Sequence, residues 1–503
     1  MTQAWYHIVV IGTDLAGLMY AALAARLGYR VAVIGHGAKP NTYRHGGHLF
    51  LREPERFYGF ASSAAVARVF GELSLGVEMK NRPRVIQPTL QVVLPTHRID
   101  VAGHRRHWER ELERELPGGL PRFDAFEAWA AEATRRSDGA FTADATYPPS
   151  GLRGRSAYRK AVAGAEDLVE VGADPLATWF DSPEQRAVVA GPLSHLAGLA
   201  APLAPLAAAR LWSHLRAGLY RVSGGLDGLK DLFLRKLREQ SSDYRPDAAV
   251  TELVTRRGKV VAVRLSDRHE ALGCQLVVGN TDPRRFLALV ERDQRDDGFH
   301  ATLAGMQPAG WRLTLNLGVR ARVIPEGMGA EVVAVADPRA PLTGANCLWI
   351  ARPGHGGAPE GRPGPGVLQV TALLESRGVA PTLGATERLV EASLVQLRRL
   401  IPWLDEHLEA LHVPAIVLDP GSGRPTLDPV ELPPIMGSPL PHTLGSSAFG
   451  PETAYKNVLL CGDSLYAGLG FEGACLAAWQ ALALTRQAVK VKTPLPQERR
   501  LLG

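Results

Sequence analysis

Along this chain apolar residues fall into two patterns, short unbroken runs and longer mixed stretches. From His7 the run HIVVI is apolar through Ile11 and stops at Gly12, the signature of a strand buried on both faces. Leu15 to Leu27 then carries Ala and Leu on nearly every face, which predicts a helix packed closely on a sheet, with Gly28 as its stop. Val31 to Ile34 predicts a second strand. A right-handed crossover would make the two strands parallel neighbours.

The middle of the chain is mixed. Leu90 to Asp100 predicts a hairpin with Pro95 in its turn, and His107 to Leu116 a charged, solvated helix. A second strand group spans AAVTELVTRRGKVVAVRLSD and CQLVVGNTDP, ending near Pro283. A further sheet is predicted from WRLTLNLGV, NCLWIA and GVLQVTALL, the last two joined by the loop PGHGGAPEGRPGPG, read as a flexible hairpin tip. Thr386 to Leu411 reads as helix-rich, and no internal repeat is visible.

Val188 to Trp212 stands apart. It is long enough to cross a bilayer, but Pro192, Pro202 and Pro205 would interrupt a spanning helix. Three readings stay open: a buried helical pair, the wall of an apolar tunnel, and a membrane-dipping element. Arg210, Arg216 and Arg221 follow, where they could meet lipid phosphates or simply solvent.

Composition narrows the classes. At 503 residues the chain is too long for one ordinary core and suggests two or three units. With 46% hydrophobic and 21% charged residues it is globular. The four cysteines, Cys274, Cys347, Cys461 and Cys475, show no paired spacing, which argues against a disulfide framework or a Cys-based zinc site and fits a reducing cytoplasm. The buried-strand pattern begins within seven residues, so no signal peptide is expected. A net charge of +6 permits attraction to anionic lipid. The densest basic run, RGRSAYRK, lacks the interleaved aromatics of a single-strand binder, so nucleic acid is not expected as a partner.

Candidate chemistry lies at the two ends. The turn Gly12-Thr13-Asp14-Leu15-Ala16-Gly17 has the shape of a dinucleotide-binding turn. Gly12 and Gly17 keep the tight bend and the close helix–strand packing, while Asp14 stands where the second glycine would admit a pyrophosphate. Asp14 would oppose phosphate by charge, or cap its own helix. Gly35 stands where a carboxylate would take ribose hydroxyls. At the other end Val458 to Cys461 predicts a strand, followed by Gly462-Asp463, a loop, and Gly470-Phe471-Glu472-Gly473-Ala474 opening a long helix. A carboxylate after a strand can accept from a ribityl or ribose chain. A glycine-bounded helix start offers free N–H groups to an electron-rich ring.

This C-terminal pattern resembles the FAD signature of the phytoene desaturase family, within the amine oxidase-like flavoprotein superfamily that also contains retinol saturase-like enzymes. Three more stretches agree in order. RHGGHLF is similar to the family's Gly-Gly-Arg segment, with Gly46 and Gly47 present and His48 in place of arginine. GLYRVSGGLDGL is similar to its Gly-Gly helix entry, with Gly224, Gly225 and Leu229. The segment from Asp247 resembles the one whose backbone, near Val250, meets adenine, and it ends in Asn280-Thr281-Asp282-Pro283. The departures Asp14, Gly35 and His48 fall on the ADP half, where His36 or His48 would partly substitute. The flavin-facing Gly462, Asp463, Gly470, Gly473 and Ala474 are intact.

The resemblance implies an α/β fold: a Rossmann-like FAD-binding domain assembled from residues 1–85, 219–305 and 450–503, with an α+β substrate domain on a mixed sheet from 86–218 and 306–449. It implies FAD, held with weakened affinity, and desaturation, saturation or isomerisation of an apolar polyene or lipid-like substrate. No residue is singled out as a general base. Two rivals stand beside it: a non-catalytic flavoprotein-fold subunit that binds a lipid or partner, and an amine oxidase. The expected setting is the cytoplasm with peripheral membrane contact.

Overall fold

The computed structural model describes residues 4–169, 174–198, 203–266, 271–292, 295–304, 308–354, 366–375, 379–436, 444 and 450–490. The chain is a mixed α/β protein built on two large sheets.

The first sheet is assembled from three distant stretches. Trp5–Ile11 lies parallel between Val31–Ile34 and Ala271–Gly279, and Asp243–Arg245 adds to the outer side of Val31–Ile34. Val458–Leu460 joins the second half of Ala271–Gly279, so that Val9, Val277 and Val458 stand in one row. Lys259–Leu265 and Val250–Arg256 extend the first half of that strand as an antiparallel pair. The unbroken apolar runs are explained by cover on both faces: every residue of Val31–Ile34 is buried, as are Ile8 to Ile11. The helix Leu15–Arg26 is buried from Ala16 to Ala25 and packs on the helices Gly225–Arg238 and Gly470–Ala488. Its alanines permit that close approach.

The second sheet runs in the order 408–412, 308–319, 366–375, 347–351, 331–335, 90–93, 98–101. All its pairings along this order are antiparallel except that of Glu331–Val335 with Leu90–Val93. From Trp311 to Val319 the long strand Pro308–Val319 alternates large apolar residues with Arg312, Thr314, Asn316 and Gly318. Leu313, Leu315 and Leu317 enter a core beneath the helix Leu383–Leu400, while Arg312, Thr314 and Asn316 share the opposite face.

Three expectations change, and Val188 to Trp212 resolves to the buried helical pair among its three open readings. Residues 408–411, read as the end of a helix-rich stretch, belong to the edge strand Leu408–His412, which follows the short helix Leu404–His407. The loop after Val458–Leu460 is a kinked 3-10 helix, Asp463–Leu469. Val188 to Trp212 divides between the helices Pro183–Ala197 and Pro205–Ala217, both largely buried against the rest of the chain. Arg210 therefore meets no lipid: it is fully buried and bonded to Glu472 and Asp138. Among the described residues no helix is long and apolar enough to cross a membrane. The Gly/Pro-rich tip at 355–365 lies outside the described residues.

Candidate functional site

The parallel strands of the first sheet all end at the same edge, which is where ligands bind in open α/β sheets. Their C-terminal ends deliver Gly12, Gly35, Asn280 and Gly462 to the wall of one cavity of about 460 Å3. Thr13, Asp14, His36, Gly470, Phe471 and Ala474 line it too.

Asn280 ties this edge together. Its backbone N–H donates to Ile11 O (2.8 Å), its side-chain Nδ2 donates to Cys461 O (2.8 Å), and its Oδ1 accepts from the Asp14 N–H (2.7 Å). Gly12 and Gly17 are glycines because of this residue. A Cβ on Gly12 would lie 2.0 Å from Asn280 O, and one on Gly17 would lie 2.3 Å from its Oδ1. Asp14 occupies the N-cap position of the Leu15–Arg26 helix with extended backbone, but its side chain makes no capping bond.

Gly35 has an equally concrete cause. The Gly35 N–H donates to Arg245 O and the His36 N–H to Ala248 O, both at 2.8 Å. A Cβ on Gly35 would lie 2.0 Å from Pro246 O, so no carboxylate side chain fits. His36 adopts φ +52 and accepts the Val250 N–H on Nδ1 at 3.1 Å. The Val250 donor is thereby engaged within the protein, and Val250 does not line the cavity. Burial lowers the pKa of His36 and favours this neutral, accepting form.

Several other sequence candidates sit elsewhere. Gly46 and Gly47, at φ +55 and +81, form the turn of the hairpin Thr42–His45/His48–Leu51, where a two-residue turn of the I′ kind requires both to be left-handed. That hairpin lies against the second sheet, where Asn316 Nδ2 donates to Leu51 O (2.8 Å) and the His48 ring covers Gly318. His48 Nε2 is 3.4 Å from Glu409. None of these three residues lines the cavity; nor do Ala16, Gly17 and Gly473. Gly473 permits close packing on the 3-10 helix, since a Cβ would lie 2.7 Å from Tyr466 O. Asp463 opens that helix, and its side chain lies outside the described residues.

The start of the C-terminal helix is held from behind by a buried ion network. Glu472, which is 1% exposed, accepts from Arg210 Nε (2.7 Å) and Nη2 (2.6 Å) and from Ser63 Oγ (2.5 Å), with His214 Nε2 at 3.1 Å. Burial opposes its ionisation, yet Arg210 and then His214 hold the carboxyl well below its usual range. In front of this helix start, Tyr58 donates to Leu469 O at 2.8 Å, and Phe57 meets Phe471 edge to face.

Sequence reasoning missed the cavity's cations. Lys230 and Arg285 line it and form no ion pair among the described residues, whereas Lys39 and Arg52 are paired with Glu431. At the Gly470 end stand His195, Arg56 and Arg312. His195 places Nε2 3.2 Å from Cys347 O, so the proton sits on Nε2. Burial, then Arg56, push its pKa well down. Arg56 donates to His195 O (3.0 Å) and to Thr371 Oγ1, and stacks over Trp349 with 4.3 Å to the ring centroid. The alternation of Arg312, Thr314 and Asn316 with three leucines was the signal available in the sequence for a polar face here.

No protein-family model matches the sequence, and no curated protein matches it. Solved structures do. An oxidoreductase from Methanosarcina mazei superposes with a TM-score of 0.58 at 14% identity, over 94% of this chain and 98% of that one. Cyclohexylamine oxidase from Brevibacterium oxydans gives 0.58 at 13%, over 96% and 99%. Putrescine oxidase bound to putrescine gives 0.55 at 13%, over 97% and 100%. At such identities the likeness is one of architecture: the chain has the fold of these oxidoreductases.

Proposed function

We propose that the chain is an FAD-dependent oxidoreductase acting on a substrate with an apolar body. The observation that carries this reading is the convergence of four strand ends and two helix N-termini, those of Leu15–Arg26 and Gly470–Ala488, on one elongated cavity. The residues present fit the cofactor at two of its three parts. First-turn N–H groups of the Leu15–Arg26 helix, with Lys230 and Arg285, would take the pyrophosphate. The helix start at Gly470 to Ala474 would face the flavin. The adenosine end departs from the familiar arrangement, because Gly35 carries no carboxylate and the Val250 N–H is engaged by His36.

Bound FAD supplies a two-electron acceptor or donor; the protein supplies position and electrostatics. Phe57, Phe471, Leu196, Ala197 and Ile435 line the cavity and suit the body of a polyene or lipid-like molecule. His195 holds its proton on Nε2, which leaves Nδ1 as a neutral base without a partner among the described residues. Two guanidinium groups at the same end disfavour an alkylammonium substrate, which separates this reading from an amine oxidase.

A second reading, a non-catalytic protein of the same fold, is favoured by the blocked Gly35 position and by Asp14. The absorption spectrum of freshly purified protein decides between them. Flavin bands, present on purification or after incubation with FAD and gel filtration, are the expected result. Their absence in both preparations gives the second reading first place.

A further inference from the structure

The Gly470 end of the cavity carries more positive charge than the protein compensates. Arg56 and Arg312 both stand at the C-terminus of the Pro183–Ala197 helix. Arg56 bonds the carbonyl of His195, and a Cβ on Gly198, the residue that ends the helix, would lie 3.3 Å from Arg312 Nη2. A helix C-terminus offers about half an elementary charge, which one arginine already exceeds. Arg312 forms no hydrogen bond or ion pair among the described residues, and its Nε is buried without a partner. Arg56 Nε is likewise buried and unpartnered.

The two guanidiniums feel each other. Burial first, and then Arg312, bring Arg56 down to about 9. The carboxylate nearest in influence, Glu331, does not neutralise them. It accepts from Trp349 Nε1 at 2.6 Å, makes no ion pair with either arginine, and is pushed by burial up to about 7. Its charge is therefore partial at neutral pH. An arrangement that keeps two like charges half-buried, with one planar fork unused, is costly unless something anionic completes it.

We propose that Arg312, supported by Arg56, binds the carboxylate of the substrate, so that the substrate is an apolar acid whose body lies along the Phe57–Phe471 wall. This rests on the cavity being the substrate cavity of the flavoenzyme read above, and it narrows that substrate to a class. A guanidinium presents two parallel N–H groups to a carboxylate, a geometry an ammonium or a hydroxyl cannot return. The cofactor's own phosphates offer a second source of negative charge, and the test separates the two.

Calorimetric titration of the full-length protein, with and without saturating FAD, would use three probes of one shape: 3-phenylpropionate, 3-phenylpropanol and 3-phenylpropylamine. The carboxylate is expected to bind at least tenfold more tightly than the other two, with FAD present as well as absent. Arg312→Met should abolish that preference, Arg312→Lys should keep part of it, and neither should lower the melting temperature or the affinity for FAD. Equal binding of the three probes overturns the inference, whatever the flavin spectrum shows. Loss of carboxylate binding on saturation with FAD, together with weaker FAD binding in Arg312→Met, overturns it in favour of a phosphate-binding role.

Discussion

Asp14 stands at the N-terminus of the Leu15–Arg26 helix and on the wall of the cavity. Its type and place predict a helix cap, yet the carboxylate makes no capping bond, and its backbone N–H is taken by Asn280. Glycine caps nearly as well as aspartate, so Asp14→Gly should cost only a few tenths of a kcal/mol of stability. If FAD binds as proposed, removing a negative charge beside its pyrophosphate should gain about 0.3–1 kcal/mol, roughly a two- to fivefold tightening. Flavin fluorescence titration of the two proteins measures this, and a weaker-binding variant would contradict it. Glu331 gives a prediction in pH. Its folded pKa of about 7 exceeds its ordinary value of 4.5, so between these values the folded chain binds more protons than the unfolded one. Stability should therefore fall as pH rises through about 5 to 7. Melting temperatures across that range should show the decline, and Glu331→Gln should flatten it. Neither Glu331 nor Arg312 was singled out by the sequence: the alternation around Arg312 marks a polar face, but such a face reads as solvent-exposed until the opposing layer is known.

At the scale of elements, the sequence was most informative where one element had to be buried on all sides. Trp5–Ile11, Leu15–Arg26 and Val31–Ile34 follow from unbroken apolar runs punctuated by glycine. The Gly46-Gly47 pair was ambiguous for a physical reason: two left-handed residues serve a hairpin turn and a phosphate-hugging loop equally well. The helix Gly470–Ala488 was legible, but the network behind it was not, since Arg210 and Glu472 are 262 residues apart. Breaking a buried pair leaves an uncompensated charge, at a cost of about 3–5 kcal/mol. Glu472→Gln should show that loss in urea unfolding. It should also loosen the start of the helix, so that FAD affinity falls in protein that is still folded. A change in stability within 0.5 kcal/mol, the usual range for surface sites, would show that the network is not needed.

Across the whole molecule, the fold class was readable because each of three stretches held strands too few to make a sheet alone. Their joining was implied by resemblance and is realised in the row Val9, Val277, Val458. The second sheet was seen only as separate strands, since nothing local announces that Glu331–Val335 pairs in parallel with Leu90–Val93. The late arrival of Val458–Leu460 has a consequence for how the protein is made. During synthesis Val277 to Gly279 must wait, with one backbone edge open, while some 180 further residues are added, close to ten seconds or more at ordinary translation rates. An open edge in an apolar strand invites pairing with other chains. The cavity wall that ends in Gly462 cannot exist until that wait is over, so any ligand of the cavity can be taken up only after translation is nearly finished. A nascent chain stalled before residue 458 would present a sticky edge and an unfinished site, and would be a natural client for a chaperone.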